Sequence, residues 1–264
     1  MSSALALVSG ATGGIGRAVV ERLWQEGYSI VALGHTPAKC ASLNTWFSLH
    51  PCAGRDAYAH RLDVRDAEAL ARCRTLLDDQ LSLLVCCHGA APMIAPALQT
   101  LQTARDVIDI DVFGTIGLCH LVGPYMFEQH RGSIVLVSSL HARQTYPERL
   151  PYAVAKSALS GLVRSLAVEW GPYGVRTNAV LPWQVSGLRT ESFITARREA
   201  TGEDLEELYR QRSPMRRLIA PEDVADAVLF LARNPAMNGH ELVLDGGVSQ
   251  SMWYQGYSET ETSP

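Results

Sequence analysis

Seven short apolar runs, each of strand length and separated by helix-length stretches, constrain this chain more than any other feature. They are Leu5–Val8, Ile30–Leu33, a weaker run at Ala57–Leu62, Leu83–Cys87, Ile134–Val137, Thr177–Leu181 and Glu241–Leu244. Runs without polar alternation read as strands buried on both faces. Strands alternating with helices imply right-handed crossovers and a parallel sheet covered by helices on both sides. The expected fold is therefore α/β: a doubly wound, Rossmann-type parallel sheet. One domain over about residues 1–250 is expected, with a tail at 251–264. Such a sheet binds its ligand outside the carboxyl ends of the strands.

The first run leads directly into Ser9-Gly10-Ala11-Thr12-Gly13-Gly14-Ile15-Gly16, after which Ile15, Val19 and Leu23 fall on one helical face. Strand, glycine turn and helix form the context of a dinucleotide loop. Glycines let the backbone approach a pyrophosphate, and the helix amino terminus offers free N–H groups and a positive dipole end.

A second constellation lies further on. Tyr152 and Lys156 are i and i+4 in a segment where Ala155, Leu159, Leu162 and Leu166 recur at helical spacing. They share one face about one turn apart. A free tyrosine ionises near pH ~10, and an ammonium beside it favours the phenolate. Ser139 follows the Ile134–Val137 strand, where a hydroxyl can hold a substrate oxygen beside the tyrosine.

Taken together, these segments resemble the single-domain branch of the short-chain dehydrogenases/reductases over about residues 4–248. Ser9, Gly10, Thr12, Gly14, Ile15 and Gly16 look like that family's cofactor loop. Asp63-Val64 is similar to its adenine-contacting segment, and Gly89 to the end of its Asn-Asn-Ala-Gly stretch. Ser139, Tyr152 and Lys156 match its catalytic residues, and Asn178-Ala179-Val180-Leu181-Pro182 resembles the segment over the nicotinamide. Pro221-Glu222-Asp223-Val224-Ala225 and Asp245-Gly246-Gly247 resemble its carboxyl-terminal landmarks. The resemblance implies a nicotinamide-dependent oxidoreductase that interconverts a carbonyl and a secondary alcohol. Tyr152 is then general acid and base, Ser139 holds the oxygen, and Lys156 also binds the nicotinamide ribose. It also implies a homotetramer or homodimer built partly on the Tyr152 helix.

Three departures stand near the expected reaction centre. Asp111 replaces the usual asparagine of the proton relay, Cys86-Cys87-His88-Gly89 replaces Asn-Asn-Ala-Gly, and Trp183 follows Pro182 where glycine is usual. Asp111 is expected near Lys156, through a water; its charge supports the lysine but opposes a phenolate at Tyr152. The alternative for Asp111 is a bond to backbone N–H groups. Trp183 adds bulk at the nicotinamide or the pocket mouth. These departures motivate a competing class, a nicotinamide-binding regulator or scaffold without turnover.

Cofactor choice is read at the end of the second strand, where an acid selects NAD. Gly34-His35-Thr36 has no acid, and His35 and Thr36 can donate to a phosphate, which favours NADP over NAD. Against this, Gly13 occupies a position that is basic in many NADP users. Substrate contacts expected by position are His141, Arg143, Trp183 and Arg189, with His88 either packed or in the pocket; the preferred reading of Arg143 and Arg149 is as exposed loop charges. Residues 184–214 are expected to form a variable substrate lid. Trp253, Tyr254 and Tyr257 suggest packing of the tail on a neighbouring subunit or on its own chain.

A net charge of −4 without a basic block disfavours nucleic acid or an anionic membrane as a main partner. No apolar run approaches the ~20 residues of a membrane span, and no basic leader precedes the first strand; the expected location is cytoplasmic. The six cysteines have no metal-like spacing with histidine, so neither a metal nor a disulfide framework is expected.

Overall fold

The computed structural model describes residues 3–202 and 204–251; the side chains of residues 188, 189 and 200 are outside the description. Seven strands form one sheet: β1 (Leu5–Ser9), β2 (Ser29–Gly34), β3 (Ala57–Arg61), β4 (Leu81–Cys86), β5 (Gly132–Val137), β6 (Val175–Pro182) and β7 (Glu241–Leu244). Every expected run is a strand. All neighbours are parallel, in the order β3-β2-β1-β4-β5-β6-β7. The order reverses between β1 and β4, which opens the crevice at their carboxyl ends.

The first helices are α1 (Gly14–Gln25), α2 (Pro37–Leu49), α3 (Ala67–Arg72), α4 (Leu101–Ile108) and α5 (Gly114–Glu128). They are followed by α6 (Leu150–Glu169), α7 (Leu188–Thr201), α8 (Leu205–Arg212) and α9 (Pro221–Arg233). Two apolar layers sandwich the sheet. One joins Val19, Leu23 and Val228 to the Val8 and Val135 face; the other joins Leu118, Met126 and Leu159 to the Leu7 and Leu84 face. Alternate residues of the central strands β1, β4, β5 and β6 serve opposite layers, so those strands had to be largely apolar.

Two glycines are required by close approach. Gly10 has φ +65°, and a side chain on it would strike the backbone of Cys87 and His88. A Cβ on Gly16 would collide with the Gly10 carbonyl oxygen, so α1 can seat against the loop only with glycine there.

Between α4 and α5 the chain makes a π-helical turn, Asp109–Phe113. Helix thus runs from Leu101 to Glu128, 28 residues long and apolar enough in composition to cross a membrane. The 18-residue apolar run this creates is absent from the expectations above. Half of it is buried inside the protein, where Leu118, Val122 and Met126 face the sheet; it is a core helix. The stretch 184–214 contains α7 and α8, which close a small separate cluster of Ile194, Leu205 and Tyr209. The tail aromatics Trp253, Tyr254 and Tyr257 lie outside the described residues.

Candidate active site

β5 ends at Val137, and the next turn begins with Ser139, whose Oγ accepts from the His141 N–H at 3.2 Å. That bond fixes the hydroxyl while leaving its proton free to donate. α6 starts eleven residues after Ser139 and is tied to this turn twice. Ser138 Oγ donates to the Lys156 carbonyl at 3.2 Å, and Ser157 Oγ donates to the Ala142 carbonyl at 3.1 Å. The strand end and the helix carrying Tyr152 and Lys156 are therefore held in register by side chains adjacent to the candidate residues.

Lys156 is 4% exposed. Its Nζ donates to the Val137 carbonyl at 3.2 Å, lies 3.2 Å from Asp111 Oδ2 and stands 5.6 Å from the centre of the Tyr152 ring. Burial alone lowers the pKa of its ammonium, but the charges of Asp111 and Tyr152 outweigh burial, and the net shift is upward. Asp111 thus meets the lysine directly rather than through a water, which corrects the expectation. Its other oxygen, Oδ1, accepts from the Ala90 N–H at 2.7 Å, so the two arrangements expected of Asp111, a lysine partner and a backbone bond, coexist. A side chain at Gly89 would press on both Asp111 and Lys156 at 3.2 Å, so glycine is what permits the pair to close.

His88 is a packed residue. Nδ1 lies 2.6 Å from Ser9 Oγ and Nε2 lies 3.1 Å from the Ile110 carbonyl. A carbonyl can only accept, so Nε2 carries the proton and Nδ1 accepts from the serine. Burial holds this imidazole's pKa down to about 4. The ring thereby pins the π turn that presents Asp111. Cys86 is buried at the end of β4, and burial raises its thiol pKa to about 12, which leaves it inert.

A cavity of about 360 Å³ lies at the carboxyl ends of β1, β2 and β4. Its walls include Gly10, Thr12, His35, Thr36, Asp63, Val64 and Gly89, seven of the positions expected to bind cofactor. It opens at the amino end of α1, where a Cβ on Gly14 would project into free space. This cradle of glycines and unpaired helical N–H groups fits a dinucleotide pyrophosphate. Two basic residues of the wall escaped the sequence reading: Lys39 and Arg65. Their signals were a lysine three residues after Thr36 and an arginine two after Asp63. Arg65 grips Asp63 with Nε–Oδ1 at 3.0 Å and Nη2–Oδ2 at 2.6 Å, which holds the Asp63 carboxyl pKa down to about 2. Val64 packs against the second core layer, and Ile15 against the first.

The substrate candidates divide. His141 stays at the site, its ring centre 5.4 Å from that of Tyr152. Burial, and then the charge of Arg149, lowers its pKa to about 4. Arg143 does not reach the site: its guanidinium pairs with Glu241 at 2.8 Å on the surface, so the reading of it as a substrate contact is corrected. Trp183 stands edge-on to Tyr209 at 5.8 Å and packs with the α7–α8 cluster. Its bulk is taken up by that hairpin, while Pro182, at the end of β6, is buried. Arg189 opens α7, and its side chain is outside the description.

The comparisons with known proteins agree with this geometry. A family model described as enoyl-(acyl carrier protein) reductase matches residues 10–249. A D-threitol dehydrogenase of Mycolicibacterium smegmatis is 32% identical over 252 residues, 92% of each chain. The NADPH carbonyl reductase 2 of Sus scrofa is 31% identical over 92% of this chain and 95% of its own. A crystal structure of an oxidoreductase of the short-chain dehydrogenase/reductase family from Burkholderia thailandensis superposes with a TM-score of 0.85 at 28% identity, covering 95% of this chain and 94% of that one. With the parallel sheet, the glycine cradle and the Ser139–Tyr152–Lys156 cluster in place, the chain belongs to the short-chain dehydrogenase/reductase family and is an NAD(P)-dependent oxidoreductase of carbonyls and alcohols.

Proposed function

We propose that the chain reduces a carbonyl to a secondary alcohol, and catalyses the reverse, with NADP(H) as its favoured cofactor. When bound, the nicotinamide supplies or accepts the hydride. Tyr152 gives its hydroxyl proton to the carbonyl oxygen in reduction and takes one from the alcohol in oxidation. Ser139 donates its free proton to the same oxygen and holds it in line. Lys156 keeps a positive charge beside the Tyr152 ring and so favours the phenolate left behind. Positioned proton transfer of this kind contributes typically ~10²–10⁴-fold. The carrying observation is the buried Lys156, charged and held 5.6 Å from the Tyr152 ring by Asp111 and the Val137 carbonyl.

The preference for NADP(H) is supported by the basic wall of the cavity. Lys39 and Arg65 flank His35 and Thr36, where β2 ends without an acid. A ribose phosphate there would meet Lys39, while Arg65 is engaged by Asp63; the name of the Sus scrofa relative includes NADPH. The stretch 184–214 serves as the substrate lid, its α7–α8 hairpin packed against Trp183. A homodimer or homotetramer is supported by apolar side chains left open on α6: Val154 is 54% and Val168 76% exposed. The six cysteines are all free thiols, in keeping with a cytoplasmic, reducing compartment.

The test is the kcat/KM for NADPH and for NADH with a panel of ketones and aldehydes, for the wild type and Lys39→Ala. NADPH should be preferred, and Lys39→Ala should lower kcat/KM for NADPH by roughly tenfold, one charge-assisted contact. A wild type that prefers NADH overturns the cofactor assignment. Cofactor that binds yet is never oxidised by any carbonyl overturns the reaction.

A further inference from the structure

Arg149 precedes α6 by one residue, and its guanidinium sits beside the proposed proton donor. Its carbon lies 5.7 Å from the centre of the Tyr152 ring and 5.5 Å from that of Tyr146. Nη1 donates to the Ala91 carbonyl at 2.8 Å and Nη2 to the Tyr146 hydroxyl at 3.3 Å. Nε is buried with no acceptor. A guanidinium carries five N–H donors, so each terminal nitrogen keeps one further N–H.

The charge is also unanswered. Asp111 neutralises Lys156, and Glu241 neutralises Arg143. Among the described residues, no carboxylate pairs with Arg149. The groups around it are neutral: Tyr146, Tyr152 and His141, whose imidazole is kept uncharged by burial and by Arg149 itself. Gln184 adds another neutral contact, donating to the Tyr146 hydroxyl at 3.1 Å. A partly buried cation without a counter-ion is costly, and the cost falls when an anion arrives with spare acceptors. Two aromatic faces hold the fork in place in the meantime.

We infer that Arg149 is an anion anchor, and that the substrate carries an oxyanion, a carboxylate or a phosphate, a few bonds from the carbonyl that Tyr152 protonates. This rests on the oxidoreductase reading above and adds the substrate class. The two free N–H groups suit a carboxylate or phosphate taken by two parallel bonds. The neutral His141 ring, held by Nδ1 at 2.9 Å from Thr145 Oγ1, adds no competing charge beside Tyr152.

The test uses the full chain with NADPH and two arms. One arm is a series of straight-chain 2-, 3- and 4-oxo acids, each against its methyl ester. The other is dihydroxyacetone phosphate against dihydroxyacetone. Turnover and the ligand-induced melting shift are both read, for the wild type, Arg149→Gln and Arg149→Lys. The wild type should favour at least one anion over its neutral partner, and the arm in which this occurs identifies the oxyanion. In Arg149→Gln that ratio of kcat/KM should fall by roughly 10- to 100-fold, as for a lost charged hydrogen bond. Arg149→Lys should fall between, because it keeps the charge but not the fork. A merely structural Arg149 would lower both members of a pair together and leave the ratio unchanged. Anions favoured in neither turnover nor melting shift, or a ratio indifferent to Arg149, overturn the inference. Melting shifts by anions that vanish in Arg149→Gln, with no turnover of any compound, would uphold the anchor and count against the oxidoreductase reading.

Discussion

Replacing Asp111 by asparagine keeps the shape of the side chain and removes the charge that answers Lys156. At 3.2 Å, two unit charges attract by about 5 kcal/mol in an effective dielectric of about 20. Asparagine cannot recover this. Asp111 accepts from Ala90 N–H with one oxygen and faces the ammonium with the other. Asparagine has a single acceptor, so keeping the Ala90 bond turns its NH₂ donors toward another donor. Removing one partner of a buried pair costs about 3–5 kcal/mol. For a chain of this length that lowers the melting temperature by roughly 10 °C. Lys156 has a raised pKa in the folded state, so the stabilisation is fully present below about pH 10.5 and is lost only as the pH rises through the folded value. The assay is thermal unfolding of the wild type and Asp111→Asn from pH 7 to pH 11, with Asp111→Asn/Lys156→Met as a third protein. The gap should be constant to about pH 10 and then narrow, and the double substitution should regain stability because no unpaired charge remains. An unchanged melting temperature for Asp111→Asn near neutral pH would refute the reasoning.

Three further outcomes are expected. Asp111 lies 3.2 Å from the Lys156 ammonium, so carbonyl reduction by Asp111→Asn should be slower than by the wild type at neutral pH; equal rates would exclude Asp111 from the relay. His88 has a folded pKa lowered to about 4, so the stability it contributes is present above pH 6.5 and lost as the pH falls toward 4; melting temperatures of the wild type should drop across that window, and less steeply for His88→Asn. Sedimentation at micromolar concentration should show a dimer or tetramer, and Val168→Asp should shift it toward monomer, since that side chain is 76% exposed on α6; a monomeric wild type contradicts the assembly.

The strands were legible because burial on both faces leaves an unbroken apolar signature, as in Leu81–Cys86 and Gly132–Val137. The glycine loop was legible as strand, glycine turn and helix in order, and Tyr152 with Lys156 from helical spacing, while Ser139 joined them through the family resemblance. What sequence did not show depends on contacts across the fold. Asp111 meets Lys156 directly because a π turn, pinned by His88 on Ile110, advances it, and no local pattern announces a π turn. Arg143 and Arg149 read alike as loop arginines, yet one finds Glu241 and the other two tyrosine rings. Trp183 looked like bulk at a pocket mouth because its partner Tyr209 lies 26 residues on, across the α7–α8 hairpin.

The claim on which the rest depends is that Tyr152 moves the proton. Its most direct test is turnover by Tyr152→Phe against the wild type, with NADPH and any carbonyl the wild type reduces, alongside fluorescence titration of the bound cofactor. Phenylalanine keeps the ring among His141, Arg149 and Lys156 and removes only the hydroxyl. The account predicts a variant that folds, still binds cofactor, and turns over at least ~10²-fold more slowly. Turnover equal to the wild type would contradict it.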